Sequence, residues 1–261
     1  MSLHILLRKL KMAKKIVVCA TQRCGSTMLL EDMRSAKVLG LPEEWFAPWS
    51  TAPAETDYAE AMQKVLRNGT GENGVFAIKL MANQLFQVDA RLRSVVGEQE
   101  GFATNVHRIF SDAVWVRILR RDALAQAMSR VIAQQTKVYH ATQNKADTHF
   151  AGGVVRGYDA SYAGNTKYDF DLLLKQFLKV QLENAAWDNF FQAYEIEPLT
   201  LVYEEIAAQA PSEVVAAIAA HAGIDAPTGA YSRKLAKLAG QISAQWREMF
   251  YKDLYARKFE V

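Results

Sequence analysis

Four short stretches of the chain are hydrophobic, and each gives way to polar residues before a helical pattern resumes. In the first, "KKIVVCA" at 14–20, Ile16, Val17 and Val18 form an unbroken apolar run that predicts a buried strand. "STMLLEDMRSAKV" then predicts a helix whose Leu29, Leu30 and Met33 share a face, with Ser26 or Thr27 capping its first turn. "YAEAMQKVLRN" predicts a second helix and "GTGENG" a turn. "VFAIKLM" at 75–81 and "AVWVRILRRD" at 113–122 predict two more strands, separated by the helical "LFQVDARLRSVVG". In "ALAQAMSRVIAQQTKVYH" apolar and alanine positions recur at spacings of three and four, which predicts a helix. The longest helical pattern is "FDLLLKQFLKVQLENAAWDNFFQAYEI", followed by a fourth strand in "PLTLVYEEI" that ends in an acidic turn. "PSEVVAAIAAHAGI" predicts a helix capped by Ser212 after Pro211, and residues 244–261 predict one helix or two. Strands that are apolar throughout and alternate with helices predict a three-layer α/β domain around a mainly parallel sheet.

Two stretches break the periodicity. "LGLPEEWFAPWSTAPAETD" carries three prolines and two tryptophans, a length and composition uncommon for a connection without a purpose. The segment from Ala141 to Asp169 is rich in Gly, Asn, Asp and Thr and reads as an excursion that covers or shapes a site.

Composition narrows the class. Half of the 261 residues are hydrophobic, enough for one substantial core, and this content opposes large-scale disorder. A formal charge of +3, from 31 Lys or Arg against 28 Asp or Glu, gives no electrostatic footprint for nucleic acid. Cys19 and Cys24 have neither a zinc spacing nor the pattern of a disulfide scaffold, and a reducing cytoplasm suits them. The opening "MSLHILLRKLKMAKK" is basic and mildly amphipathic, too short and interrupted to span a membrane.

The chemistry concentrates at strand ends. "TQRCGST", 21–27, lies where the first strand feeds the first helix, a favoured ligand position in parallel α/β folds. Gly25 permits close backbone approach, and the amides near Gly25, Ser26 and Thr27 would face an anion at the helix start. Arg23 adds a planar cation suited to phosphate or sulfate oxygens. The same residues also suit an ordinary tight turn with a Ser or Thr cap. The stretch has no Walker lysine and the chain no G-x-G-x-x-G fingerprint, which counts against a nucleotide-dependent kinase and a dinucleotide fold. Arg120 and Arg121 suit either a phosphate clamp or a solvated surface, with Asp122 capping the next helix; Ser129 lies on that helix. Glu43 and Glu44 are adjacent, so one can act as a base while the other faces solvent, or both are surface acids. Lys79 interrupts a buried-looking strand and needs a partner, in a site or in a structural ion pair. His107, His140 and His149 have no metal-ligand spacing and read as structural.

Three segments in this order, "ATQRCGSTMLLEDMRSAKVLGLPEEWF", "FAIKLMANQ" and "RILRRDALAQAMSRVIAQQTKVYH", resemble the bacterial Stf0-type sulfotransferases, the group that includes trehalose 2-sulfotransferase and NodH-like enzymes. The resemblance runs from about Ile16 to Tyr139 and continues more weakly to the C-terminus. It implies a P-loop-like sulfotransferase fold in a single domain over 13–261, after an extension at 1–12, with acceptor-binding loops inserted around 40–58 and 140–168. It implies transfer of a sulfuryl group from 3'-phosphoadenosine 5'-phosphosulfate (PAPS) to a hydroxyl. Gln22, Arg23, Cys24, Gly25, Ser26 and Thr27 match the 5'-phosphosulfate loop; Arg23 stands where many sulfotransferases carry lysine, and Cys24 where this family commonly has serine. Arg120 and Ser129 match the pair that holds the 3'-phosphate, and Lys237 matches a late basic residue, with Arg233 and Lys234 as competitors. Glu44 matches the catalytic base. Trp45, Phe46 and Lys79 fall on the acceptor side, the aromatic rings serving as a stacking surface or as a lid. No metal is required by this scheme. The expected acceptor is a carbohydrate, glycolipid or small metabolite, and a homodimer is implied. The alternative is a degenerate nucleotide-binding or scaffold protein that keeps the fold.

Overall fold

The computed structural model describes residues 14–97, 101–159, 161, 164–227, 229, 231–236 and 242–257. The expected extension at 1–12 and the 3'-phosphate candidate Lys237 lie outside the described residues. In chain order the elements are β1 (Lys14–Ala20), α1 (Ser26–Ser35), α2 (Tyr58–Gly69), β2 (Val75–Met81), α3 (Leu85–Val96), α4 (Thr104–Ile109), β3 (Val114–Leu119), α5 (Ala123–Thr136), β4 (His140–Ala141), β5 (Val154–Val155), α6 (Phe170–Ala193), β6 (Leu199–Val202), α7 (Tyr203–Ile206), α8 (Pro211–Ala222) and α9 (Ile242–Ala256). Short 3-10 turns at Ala47–Thr51 and Ala82–Gln84 complete the set.

By its internal contacts the chain divides into two compact units. The first comprises the chain up to Thr21, Gly25–Leu119 and Glu183–Ser232; the second comprises Gln22–Cys24, Arg120–Leu182 and the chain from Arg233 onward.

The first unit carries a four-stranded sheet in the order β2-β1-β3-β6. Every pairing in it is parallel, with Val17 opposite Ile78 on one side and Trp115 on the other. Ile16, Val17, Val18 and Cys19 are wholly buried, as an unbroken apolar strand between two neighbours requires. Because β2 and β3 flank β1 on opposite sides, the strand order reverses beside β1, and its carboxyl end is a topological switch point. Trp187 fixes that end by donating its indole N–H to the Ala20 carbonyl at 3.0 Å. The core of this unit is aromatic: Phe46, Phe76, Phe110, Trp115, Trp187 and Phe190 are buried together. Helix α8 packs on α1 and β3, and α2 on β2 and α3.

The second unit is held by a smaller cluster in which Met128 and Val131 of α5 meet Phe170 and Leu173 of α6 and Trp246 and Phe250 of α9. Its excursion includes the two-residue parallel pair β4–β5, and Thr142 bridges to Leu235 in antiparallel fashion.

Two capping expectations fail. Helix α1 starts after Gly25, which sits at φ 92° and has no side chain to cap with; Ser26 and Thr27 are already helical. Helix α8 has Ala210 at its N-cap and Pro211 inside its first turn, so Ser212 is also helical and caps nothing. Asp122 does cap α5, accepting the Ala125 N–H at 2.9 Å.

Candidate active site

The first unit gathers its chemistry around Glu44. Lys79 of β2 is 5 % exposed, as expected for a lysine inside an apolar strand, and its partner is Glu44: Nζ meets Oε1 at 2.8 Å. Gln84, on the 3-10 turn just after β2, points its Nε2 at Oε2 of the same carboxylate, at 3.5 Å. The two oxygens of Glu44 are therefore held from one element and its continuation. Glu44 itself remains 35 % exposed, so it can meet a solvent-borne group while its partner stays buried.

The neighbouring Glu43 has a different nearest partner. Its carbonyl accepts the Lys79 amide at 3.0 Å, and its carboxylate lies 3.9 Å from Arg34. Burial raises the Glu43 pKa, with the Arg34 and Lys79 cations opposing that rise. Arg34 also donates to the Pro42 carbonyl, so α1 and β2 together pin "PEE" in place. Trp45 donates its indole N–H to the Leu41 carbonyl and packs half-buried on the core. Phe46 is 1 % exposed and meets Trp49 edge-on with ring centres 4.7 Å apart; its ring belongs to the core.

Gly25 also falls in this unit. A Cβ there would lie 2.2 Å from the ring of Tyr203, the first residue of α7 beyond β6. Together, the positive φ and the ring close this position to anything but glycine. The first turn of α1 consequently starts with amides that no N-cap side chain occupies, the arrangement that suits an anion.

In the second unit, Gln22 and Arg23 lie against one face of α5. The Gln22 carbonyl accepts from Gln126 Nε2 at 2.7 Å and from Arg130 Nε at 3.0 Å. Arg23 Nε donates to Ser129 Oγ at 3.0 Å, and its Nη1 donates to the Tyr139 carbonyl. Residues 126, 129 and 130 share a face because positions three and four apart are neighbours on a helix. Arg23 adopts φ 65°, in the left-handed region. Arg120 begins this unit's next segment directly after β3. The structure thus brings Arg23 and Ser129 together in one unit, and Glu44 and Lys79 in the other.

Gln126, Arg130, Gln84 and Tyr203 were not singled out from the sequence. The signal for the first two was legible: they are polar residues on the same face as Ser129 within a stretch, Ala123–Ala133, that is otherwise apolar. Nothing local marked Gln84 or Tyr203.

Cys19 and Cys24 are both buried thiols, and burial pushes Cys19 well above its ordinary pKa. His107 stacks on Tyr194 with ring centres 4.0 Å apart, and His149 lies against Phe150. Among the described residues, no group of three or more His, Cys, Asp or Glu is placed to hold a metal ion, and no helix is long and apolar enough to cross a membrane.

Residues 15–253 match the family model described as Stf0 sulphotransferase. The chain belongs to the Stf0 sulfotransferase family. It is similar to trehalose 2-sulfotransferase of Mycolicibacterium smegmatis strain ATCC 700084 / mc(2)155, with 27 % identity over 91 % of this chain and 94 % of that protein. It is also similar to trehalose 2-sulfotransferase of Mycobacterium tuberculosis strain ATCC 35801 / TMC 107 / Erdman, with 24 % identity over 90 % of this chain and 93 % of that protein. Membership supports sulfuryl-transfer chemistry for this Stf0 chain, and the family match spans β1 through most of α9.

Proposed function

We propose that this Stf0 protein transfers a sulfuryl group from PAPS to a hydroxyl of a carbohydrate, glycolipid or small metabolite in the cytoplasm, using the β1–α1 turn as a P-loop-like phosphosulfate loop. The observation that carries this reading is Glu44, a partly exposed carboxylate whose oxygens face Lys79 and Gln84, in a chain that matches the sulfotransferase family from end to end of its sheet. The donor fits the residues present: Gly25 is barred from carrying a side chain, α1 begins without a side-chain cap, and Arg23 supplies a guanidinium two residues before Gly25 in the chain.

When bound, PAPS supplies the sulfuryl group and departs as adenosine 3',5'-bisphosphate. Glu44 receives the proton of the acceptor hydroxyl. Lys79 and Gln84 orient that carboxylate so that its remaining lone pairs face outward. Arg23 and the amides of Gly25, Ser26 and Thr27 take anionic oxygens, where fixed donors stabilise developing charge. Arg120 and Ser129, with Lys237, take the distant 3'-phosphate and so set the orientation of the reacting end. Gln22 and Cys24 contribute backbone to the loop. The acceptor is guided by the 40–58 connection, in which Trp45 is the half-buried aromatic, and by the 140–168 excursion.

Adenosine 3',5'-bisphosphate tests the donor assignment most directly. It should raise the thermal unfolding temperature far more than equal concentrations of ATP or NAD. Equal shifts, or none, would remove PAPS as the donor. A screen of saccharides and bacterial glycolipids with labelled PAPS then identifies the acceptor class.

A further inference from the structure

We infer that Gln126 and Arg130 are positioning residues for the donor's 5' end: together they engage the Gln22 carbonyl and so present the Arg23 amide to the anion. The inference rests on the donor reading above. A peptide carbonyl that faces an anion repels it, so a loop built to receive phosphosulfate must dispose of its carbonyl oxygens. Here the Gln22 oxygen accepts two hydrogen bonds from α5, one from Gln126 at 2.7 Å and one from Arg130 at 3.0 Å. Both donors are deeply placed, Gln126 at 0 % and Arg130 at 3 % exposure, whereas Gln22 itself is an exposed residue.

The peptide geometry carries the consequence. No peptide bond in the described chain is cis, so the Arg23 N–H points opposite to the Gln22 carbonyl. Holding the carbonyl toward α5 therefore turns the Arg23 amide away from that helix. Arg23 itself stands at φ 65°, in the left-handed region that is uncommon for a residue with a side chain. Ser129, on the same face of α5, holds the Arg23 side chain through Nε. One helix face thus fixes the backbone of Gln22 and the guanidinium of Arg23 at once. Arg130 also brings a buried positive charge to the Gln22 carbonyl, favouring an anion in the loop beyond what the hydrogen bond supplies.

The test compares three ligands on four proteins. Dissociation constants for adenosine 3',5'-bisphosphate, 3'-AMP and 5'-AMP are measured by calorimetry on the wild type, Gln126→Met, Arg130→Met and Arg130→Lys. The 5'-phosphate increment is the affinity ratio of the bisphosphate to 3'-AMP; the 3'-phosphate increment is its ratio to 5'-AMP. Losing one of two hydrogen bonds to the carbonyl should shrink the 5' increment by about tenfold in each methionine variant, with less loss in Arg130→Lys, which retains charge and a donor. The 3' increment should stay within about twofold, because neither exchanged side chain is among those assigned to the 3'-phosphate. Unchanged 5' increments in a folded Gln126→Met or Arg130→Met protein would overturn the inference. Equal loss of both increments would also overturn it, since it reports general damage. Should Gln126→Met fail to fold, the Arg130→Met and Arg130→Lys pair decides alone. A wild type that binds none of the three ligands overturns the donor reading and the clamp with it, a result distinct from a wild type that binds and variants that bind equally well.

Discussion

The two polar clusters solve opposite problems. Around Glu44 a charge meets a charge: a buried ammonium on β2 and an amide just beyond it hold a carboxylate that stays in contact with solvent. Under Gln22 and Arg23, by contrast, donors on one helix face converge on a carbonyl and draw a hydroxyl against a guanidinium. A group that must accept a proton needs a fixed direction and an open side. A loop that must accept an anion needs its negative ends turned away. On the proposed reading the first requirement is met by side chains alone and the second by controlling main-chain orientation, with three residues of one helix drawn onto two consecutive loop residues.

The comparison is broken most sharply at Glu44. Glu44→Gln should lower sulfuryl transfer by about 100- to 10,000-fold, the span of general base catalysis, while the affinity for adenosine 3',5'-bisphosphate stays nearly unchanged. Turnover at the wild-type level would remove Glu44 from the proton-accepting role. Ser129→Ala should do the reverse in kind and be smaller in size. Loss of its hydroxyl takes this partner from Arg23 Nε and removes one donor toward the 3'-phosphate, so bisphosphate affinity should fall by about 5- to 20-fold, with turnover at saturating donor largely retained. A Ser129→Ala protein that binds normally but turns over slowly would erase the division of labour.

The smallest expected effect lies outside both clusters. Burial lowers the His107 pKa below its ordinary 6.5, so the folded state prefers the neutral ring. The unfolded chain then takes up the proton more readily, and stability falls as pH drops through 6.5 toward the folded-state value. Between about pH 7.5 and 5.5 the unfolding temperature of His107→Phe should therefore decline less than that of the wild type, by at most about 2 °C because the ring is only partly buried. Identical pH profiles would show that burial imposes no protonation preference on His107.

Much of this was legible in particular residues. The strands β1 and β2 run over the stretches that their apolar patterns marked, since a strand buried on both faces of a parallel sheet has no polar face to blur its ends. Lys79 could be recognised as needing a partner because a lone cation in such a strand cannot stay unpaired. Glu43 and Glu44 have different nearest cations, Arg34 and Lys79. The helix starts were less readable. Ser26 and Ser212 have the chemistry of caps, yet a left-handed glycine precedes the first helix, and Pro211 in the first turn of α8 places Ser212 inside that helix. Asp89 shows a cap that local patterns cannot reveal: from α3 it accepts the amides of Asn105 and Val106 at 2.7 and 3.0 Å, serving the first turn of α4.

The sequence by itself determined the α/β alternation, the approximate places of the four central strands, the family and the residue types suited to anion and proton chemistry, because periodicity and short motifs are local. The tertiary structure alone decided that Lys79 pairs with Glu44, that Tyr203 closes over Gly25, and that Gln126 and Arg130 share the Gln22 carbonyl. It also decided that Phe46 fills the core beside Trp49. Each of these depends on which distant segments become neighbours, and that choice is made by burying the whole apolar surface at once rather than by any stretch of chain acting alone.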